Sequence, residues 1–193
     1  MVALERVSTA VRDYRALNES TLLEVTRIAS ASRRLVESHL ALVAGEVAHR
    51  SRPELGHEGL AYRSGLRTPE QFVRVTTGST GRDAVTAVRV GVLMGEAATG
   101  AGAGAGAGAA TEPHPSSGEP LVPQRPWLTA VADALAARGL SVGQAEAIRS
   151  GLGEPTSGVS AEQLADAVLQ LVGVAAETGM DPDGLARRGT GVP

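Results

Sequence analysis

At four predicted helix starts in this chain a serine or threonine is followed, three residues later, by a glutamate or glutamine. At a helix start the first side chain accepts a hydrogen bond from a free backbone N–H, and the second reciprocates. The repeated signal is hard to reconcile with a β protein and predicts helices. The four capping boxes are Thr21 with Glu24, Thr68 with Gln71, Ser141 with Gln144, and Ser160 with Gln163.

Apolar residues at helical spacing support the same interpretation, most clearly over nearly 30 residues after Thr21. No alternating strand pattern competes, and aromatic residues make up only 2% of the chain. A core of Ala, Val, Leu and Ile suits closely packed helices. We therefore expect an all-α, multi-helix bundle with helices near 2–16, 21–50, 69–77, 80–97, 128–138, 141–151, 160–178 and 182–188.

A glycine, alanine and proline-rich stretch interrupts this pattern. Gly100 to Ala110 alternates glycine and alanine, and residues 111–126 hold five prolines. Neither composition favours a regular, packed element. The sequence thus predicts a linker over 97–126 between helical parts 1–96 and 127–193. We expect these parts to pack as one composite domain, because the second is too small for a thick core of its own.

Two local features add detail. The segment 51–67 has one proline and three glycines without a clean period, which predicts a structured connection or one short helical turn. Gly139 directly follows a predicted helix, where a glycine commonly adopts the left-handed conformation of a C-cap. We therefore predict that Gly139 caps that helix.

The sequence lacks the residue types or motifs that most catalytic and metal-binding sites require. There is no lysine for a phosphate loop and no cysteine for thiolate ligands or disulfides. No G-x-S-x-G elbow is present, and the histidines are not spaced as paired metal ligands. We predict no catalytic residues, no metal site, no cofactor and no small-molecule substrate. The histidines are His39, His49, His57 and His114.

The chain also lacks the marks of export. No run of 18 apolar residues occurs, and the first residues do not resemble a signal peptide. These features and the missing cysteines predict a cytoplasmic protein without a membrane partner. The net charge of −3 is too small to indicate a partner.

The segment from Arg67 to Val92 predicts a short helix, a turn at Gly78-Ser79, and a second helix capped by Thr80. Such a pair can place its second helix in a DNA major groove. Arginine suits phosphate and guanine contacts, but two short helices joined by a turn also occur as ordinary packing elements. The candidate DNA-binding residues are Arg63, Arg67, Arg74, Arg82 and Arg89.

Two stretches, Gly45 to Gly91 and Pro126 to Val172, resemble the actinobacterial domain-of-unknown-function-222 family, also called the 13E12 repeat family. The resemblance covers about 20–188 apart from the linker. Its matching pieces are Arg50-Ser51, Pro53-Glu54-Leu55-Gly56, Arg67-Thr68-Pro69, Thr76-Thr77-Gly78, Leu140-Ser141, and Gly151-Leu152-Gly153-Glu154-Pro155.

The resemblance implies a helical, uncharacterised domain that usually precedes a C-terminal HNH nuclease module. This sequence has no cysteine, and its last histidine is His114, so no catalytic residue can be carried over. After Arg187-Arg188, where relatives continue into another helix, the chain reads Gly-Thr-Gly-Val-Pro. We hypothesise a truncation or frameshift there, which the downstream DNA would test.

Three hypotheses follow. The favoured one is a non-catalytic domain of an HNH endonuclease-like protein that binds DNA through 67–92, or binds another protein such as a separate HNH module. The second is a protein-interaction or oligomerisation domain in which the helix at 21–50 pairs with a partner helix and DNA has no part. The third is a nuclease subunit with an unrecognised site.

Overall fold

The computed structural model describes residues 11–104, 126–153, 159–178 and 180–189, and these ranges are helical without a strand. The predicted all-α bundle is confirmed. A 3-10 segment at Pro53–Glu58, kinked at the non-helical Gly56, precedes α3, and a single 3-10 turn at Pro126–Leu128 precedes α6. The α-helices are α1 Val11–Arg15, α2 Glu19–His49, α3 Leu60–Arg63, α4 Pro69–Thr77, α5 Gly81–Gly104, α6 Thr129–Ala136, α7 Val142–Leu152, α8 Ala161–Thr178 and α9 Pro182–Gly189.

Two of the four predicted capping boxes are complete. In the box at α7, Gln144 N–H donates to Ser141 Oγ at 3.2 Å and Ser141 N–H donates to Gln144 Oε1 at 2.8 Å. The box at α8 repeats both bonds between Ser160 and Gln163. These local contacts fix where both helices begin.

The other two boxes differ from the prediction. Thr68 Oγ1 accepts from Gln71 N–H, but Gln71 Oε1 accepts from the backbone of Arg67. The box at Thr21 is wrong, because α2 begins at Glu19 and Asn18 Oδ1 accepts from the Thr21 N–H at 2.8 Å. Asn18 is a better cap than threonine and stands three residues earlier.

The predicted left-handed cap at Gly139 is also wrong. Helix α6 ends at Ala136, and the positive φ of 63° belongs to Arg138. The N–H of Gly139 then donates to the Ala134 carbonyl at 2.8 Å, the wide bond of a Schellman motif. The helix ends earlier than predicted, so the left-handed position falls on an arginine.

The short-range connections otherwise agree with the sequence. The segment 51–67 holds the kinked 3-10 segment and the single-turn helix α3. Thr80 caps α5 by accepting from Asp83 N–H at 3.1 Å. Helix α5 does not stop near residue 97 but continues to Gly104, so the predicted linker begins inside a helix. Residues 1–10 and 105–125, which include most of the linker, lie outside the described residues.

Helix α5 is the centre of the fold and packs on α2, α4, α6 and α7. It crosses α2 at Gly45 and Gly91, whose backbones meet without any side chain between them. Small buried residues flank the crossing on both helices, and they allow the two axes to approach closely. The flanking residues are Ala41 and Ala44 on α2, and Ala84, Ala87 and Val88 on α5.

Both parts of the chain share one hydrophobic core. Val90 and Leu93 of α5 pack in the same cluster as Leu135, Ile148 and other buried residues of α6 to α9. An ion pair joins the parts as well, since Arg89 on α5 lies 3.3 Å from Glu146 on α7. Buried residues of the C-terminal part thus belong to the same cluster as residues of α5.

Candidate interaction surfaces

Helix α2 carries two opposite apolar faces of different character. The face toward α5 is made of small buried residues, Ser38, Ala41, Ala44 and Gly45. The opposite face carries large aliphatic side chains that remain in contact with solvent. We call this second face the α2 stripe, and it consists of Leu22, Val25, Ile28, Leu35, Val36, Leu42 and Val43.

The exposure of the α2 stripe is large for residues of this kind. Ile28 is 57% exposed, Val36 60% and Val43 61%. Single exposed aliphatic residues are ordinary on a protein surface, whereas a contiguous apolar patch of several hundred Å² marks an interaction surface. The stripe runs from Leu22 to Val43, which is about 30 Å at 1.5 Å per residue.

The N-terminal half of α2 is exposed in all directions. Over residues 19–33 every position is solvent-exposed except Val25, which is half-buried. Helix α5 crosses only the C-terminal half, where the buried residues lie between Ser38 and Val47. A helix of about 15 residues without packing is marginal in water. The first half of α2 thus gains little stability from the contacts made by the described residues.

Arg89, one of the predicted DNA-binding residues, is committed to a structural contact. Its Nη1 lies 3.3 Å from Glu146 Oε1, and Glu146 also accepts two bonds from Arg149. The Arg89 side chain is directed toward α7 and ties the two parts of the chain together. A DNA phosphate would have to compete with Glu146 for this guanidinium.

Arg67, Arg74 and Arg82 lie on the exposed parts of the helix pair. Arg67 precedes α4, Arg74 is on α4, and Arg82 is the second residue of α5. All three are exposed, and no hydrogen bond or ion pair of their guanidinium groups is found within the described part of the chain. Arg82 lies in the first turn of α5, ahead of the positions Ala84, Ala87 and Val88 that are buried.

Arg63 lies apart from the helix pair, in a shallow groove of about 410 Å³. Three arginines and His49 face two glutamates across it, so the groove has a mixed charge. Arg52 Nη1 contacts His49 Nε2 at 3.2 Å. The hydrogen bond from Arg50 to Glu46 lowers the pKa of the Glu46 carboxyl. The lining residues are Glu46, His49, Arg50, Arg52, Leu55, Glu58, Leu60 and Arg63.

Two other kinds of site, a metal centre and a membrane span, are absent from the described residues. Among them, no three histidine, aspartate or glutamate side chains are grouped so that they could hold a metal ion. No helix in the described ranges has the length and hydropathy needed to cross a bilayer. Comparison with protein-family models, with curated proteins and with solved structures finds no match.

The sequence predicted α2 as a long helix, but its apolar spacing alone does not say which face is buried. On α2 the small residues are buried and the large apolar residues are exposed. In most folded proteins the large apolar side chains are the buried ones. The sequence does contain a signal for the exposed face of α2, because Ile28, Leu35 and Leu42 are seven residues apart. On the other face, the side chains are too small for a thick core: Ala41, Ala44, Gly45 and Ala48.

Proposed function

We propose that this chain is a non-catalytic interaction domain that binds a protein partner through the α2 stripe. The observation that carries the proposal is the row of large aliphatic side chains on α2, opposite the face that packs on α5. Burying such a row in an assembly removes apolar area from water, which is the main driving force of protein association. The resemblance to the front domain of HNH endonuclease-like proteins supports the same non-catalytic role.

The test uses the absence of cysteine from the chain. A single cysteine is introduced on the stripe, Val36→Cys, or on a different side of the same helix, Leu23→Cys. Val36 and Leu23 are each 60% exposed, so they are matched in the isolated chain. N-ethylmaleimide then labels each thiol in intact cells that make the protein, and in the dilute purified protein.

We expect Val36→Cys to be labelled several times more slowly than Leu23→Cys in cells, and at a similar rate after purification and dilution. A partner that covers the stripe would protect only the first thiol. Equal labelling of both positions in cells would contradict the proposed function, whatever the partner is.

DNA contact through the helix pair is a second candidate. The exposure of Arg67, Arg74 and Arg82, without guanidinium contacts in the described part of the chain, favours it. Each arginine that contacts a phosphate contributes about one unit to the slope of log K against log salt. The three arginines would therefore give a measurable salt dependence.

The corresponding experiment titrates duplex DNA at several salt concentrations. The triple variant Arg67→Ala, Arg74→Ala and Arg82→Ala should weaken binding and flatten the salt slope. Arg27→Ala, on the exposed half of α2, is the control for charge removal. If the triple variant and the control bind like the unaltered chain, these arginines do not contact DNA.

A further inference from the structure

The α2 stripe contains a seven-residue repeat, which indicates what kind of surface its partner presents. Ile28, Leu35 and Leu42 are seven residues apart, and a second column precedes each of them by three residues: Val25, Ser32 and His39. A seven-residue apolar repeat keeps one seam facing a second helix in a left-handed pair. The spacing fits a helix partner rather than a flat surface.

We propose that the partner is a second copy of this chain, whose α2 runs antiparallel across the first. The inference rests on the proposed function, because it names the partner that covers the same stripe. In this register Val25 meets Leu42 of the second copy, Ile28 meets His39, and Ser32 meets Leu35. Every layer of the seam then contains at least one large aliphatic side chain.

The neighbouring column of α2 favours the antiparallel arrangement. This column, Leu22, Ala29, Val36 and Val43, is entirely apolar. In an antiparallel pair it meets the same column of the second copy, so that Leu22 faces Val43 and Ala29 faces Val36. In a parallel pair it would face the column of Glu24, Ala31 and Ser38. Glu24 is charged, and Ser38 is already buried in its own chain.

The antiparallel register also supports the N-terminal half of α2, which the described residues leave largely exposed. Residues 19–33 of one copy would lie on the C-terminal half of α2 in the other copy, which is held by α5. Each unsupported half gains a rigid neighbour, and the two helix dipoles oppose each other favourably. A parallel pair would join the two unsupported halves only to each other.

The apolar area is sufficient for a specific dimer. Six members of the stripe expose between 37% and 61% of their surface: Leu22, Ile28, Leu35, Val36, Leu42 and Val43. At on the order of 100 Å² for each side chain, two copies would bury about 1,200 Å², near the lower limit of specific interfaces.

The first test measures self-association of the full chain by analytical ultracentrifugation. We expect a concentration-dependent dimer, and Ile28→Gln should raise its Kd by about tenfold. Leu23→Gln is the control, since Leu23 is 60% exposed and Ile28 57%, on different sides of the helix. A chain that stays monomeric, or equal effects of both substitutions, would overturn the proposal.

The second test determines the direction of the pair by disulfide formation in a chain that has no cysteine of its own. Chains carrying Ile28→Cys and His39→Cys are oxidised separately and mixed. The antiparallel register predicts a disulfide only in the mixture, because two copies of residue 28 would lie about 16 Å apart. Disulfides in each chain alone, and none between the two, would indicate a parallel pair and overturn the register.

The two proposals fail in different ways. If the purified chain is monomeric but Val36→Cys is protected in cells, a different protein covers the stripe, so the interaction function stands and the second copy is excluded. If Val36→Cys is unprotected in cells, the interaction function fails together with the dimer.

Discussion

A β-carbon on Gly91 would lie 1.9 Å from the carbonyl oxygen of Ala41 and 2.5 Å from the backbone nitrogen of Gly45. The two glycines therefore form the contact at which α2 and α5 cross. Because the obstructing atoms belong to the backbone, a rotamer change cannot relieve the clash. The position of the long helix relative to the core depends on these two residues.

We predict that Gly91→Ala lowers the free energy of unfolding by about 3 kcal/mol or more, because the helices must separate to admit the methyl group. Urea unfolding followed by circular dichroism measures the change. Gly95→Ala is the matched control, one turn further along α5, where an added β-carbon meets nothing within 4 Å. That substitution should stabilise the chain by about 0.5–1 kcal/mol. Equal effects would show that the crossing is not tight.

Arg138 holds a left-handed backbone conformation, with φ of 63°, which is unfavourable for a residue with a β-carbon. We predict that Arg138→Gly raises the free energy of unfolding by about 1 kcal/mol. Arg138→Ala keeps the strained conformation and removes only an exposed side chain, so its effect should stay within about 0.5 kcal/mol. Thermal and urea unfolding of the pair separate the backbone effect from the loss of charge.

Asn18 caps α2 through the bond from Thr21 N–H at 2.8 Å. Removing the cap by Asn18→Ala should cost about 1 kcal/mol locally, and amides in the first two turns of α2 should exchange about fivefold faster. Thr21→Ala should not accelerate exchange, because its hydroxyl does not cap the helix. Hydrogen exchange resolved by residue tests both, and faster exchange in the Thr21 variant alone would restore the capping box predicted from sequence.

The contact between Arg89 and Glu146 joins the two parts of the chain at 3.3 Å, with the Glu146 side chain 15% exposed. A double-mutant cycle with Arg89→Ala and Glu146→Ala should give a coupling of about 0.5–1 kcal/mol. The pair of Arg33 and Glu37 on α2, whose arginine is 80% exposed, should show a weaker coupling, because solvent screens exposed ion pairs. No coupling at the first pair would show that the ion pair does not join the parts.

Several elements of this fold could be predicted from the sequence, because interactions between residues close together in the chain produce them. A hydroxyl or amide oxygen three residues before a free N–H is enough to start a helix, and the boxes at Ser141 and Ser160 are formed as predicted. The turn at Gly78, with φ of 68°, and the cap at Thr80 have the same local origin. The errors at Thr21 and Gly139 are shifts of one to three residues, where a neighbouring cap or helix end competes.

The tertiary structure decided which faces of the helices are used. Periodicity places Leu35 and Ala44 equally well on a helix, but only the close crossing at Gly45 and Gly91 determines that the alanine is buried and the leucine is exposed. The sequence predicts Arg89 as a DNA-binding residue. In the folded chain Glu146, which is 57 residues away in the sequence, lies beside it. Local hydrogen bonds join residues a few positions apart, so they can be predicted from the sequence. Burial depends on how helices that are distant in the sequence approach each other.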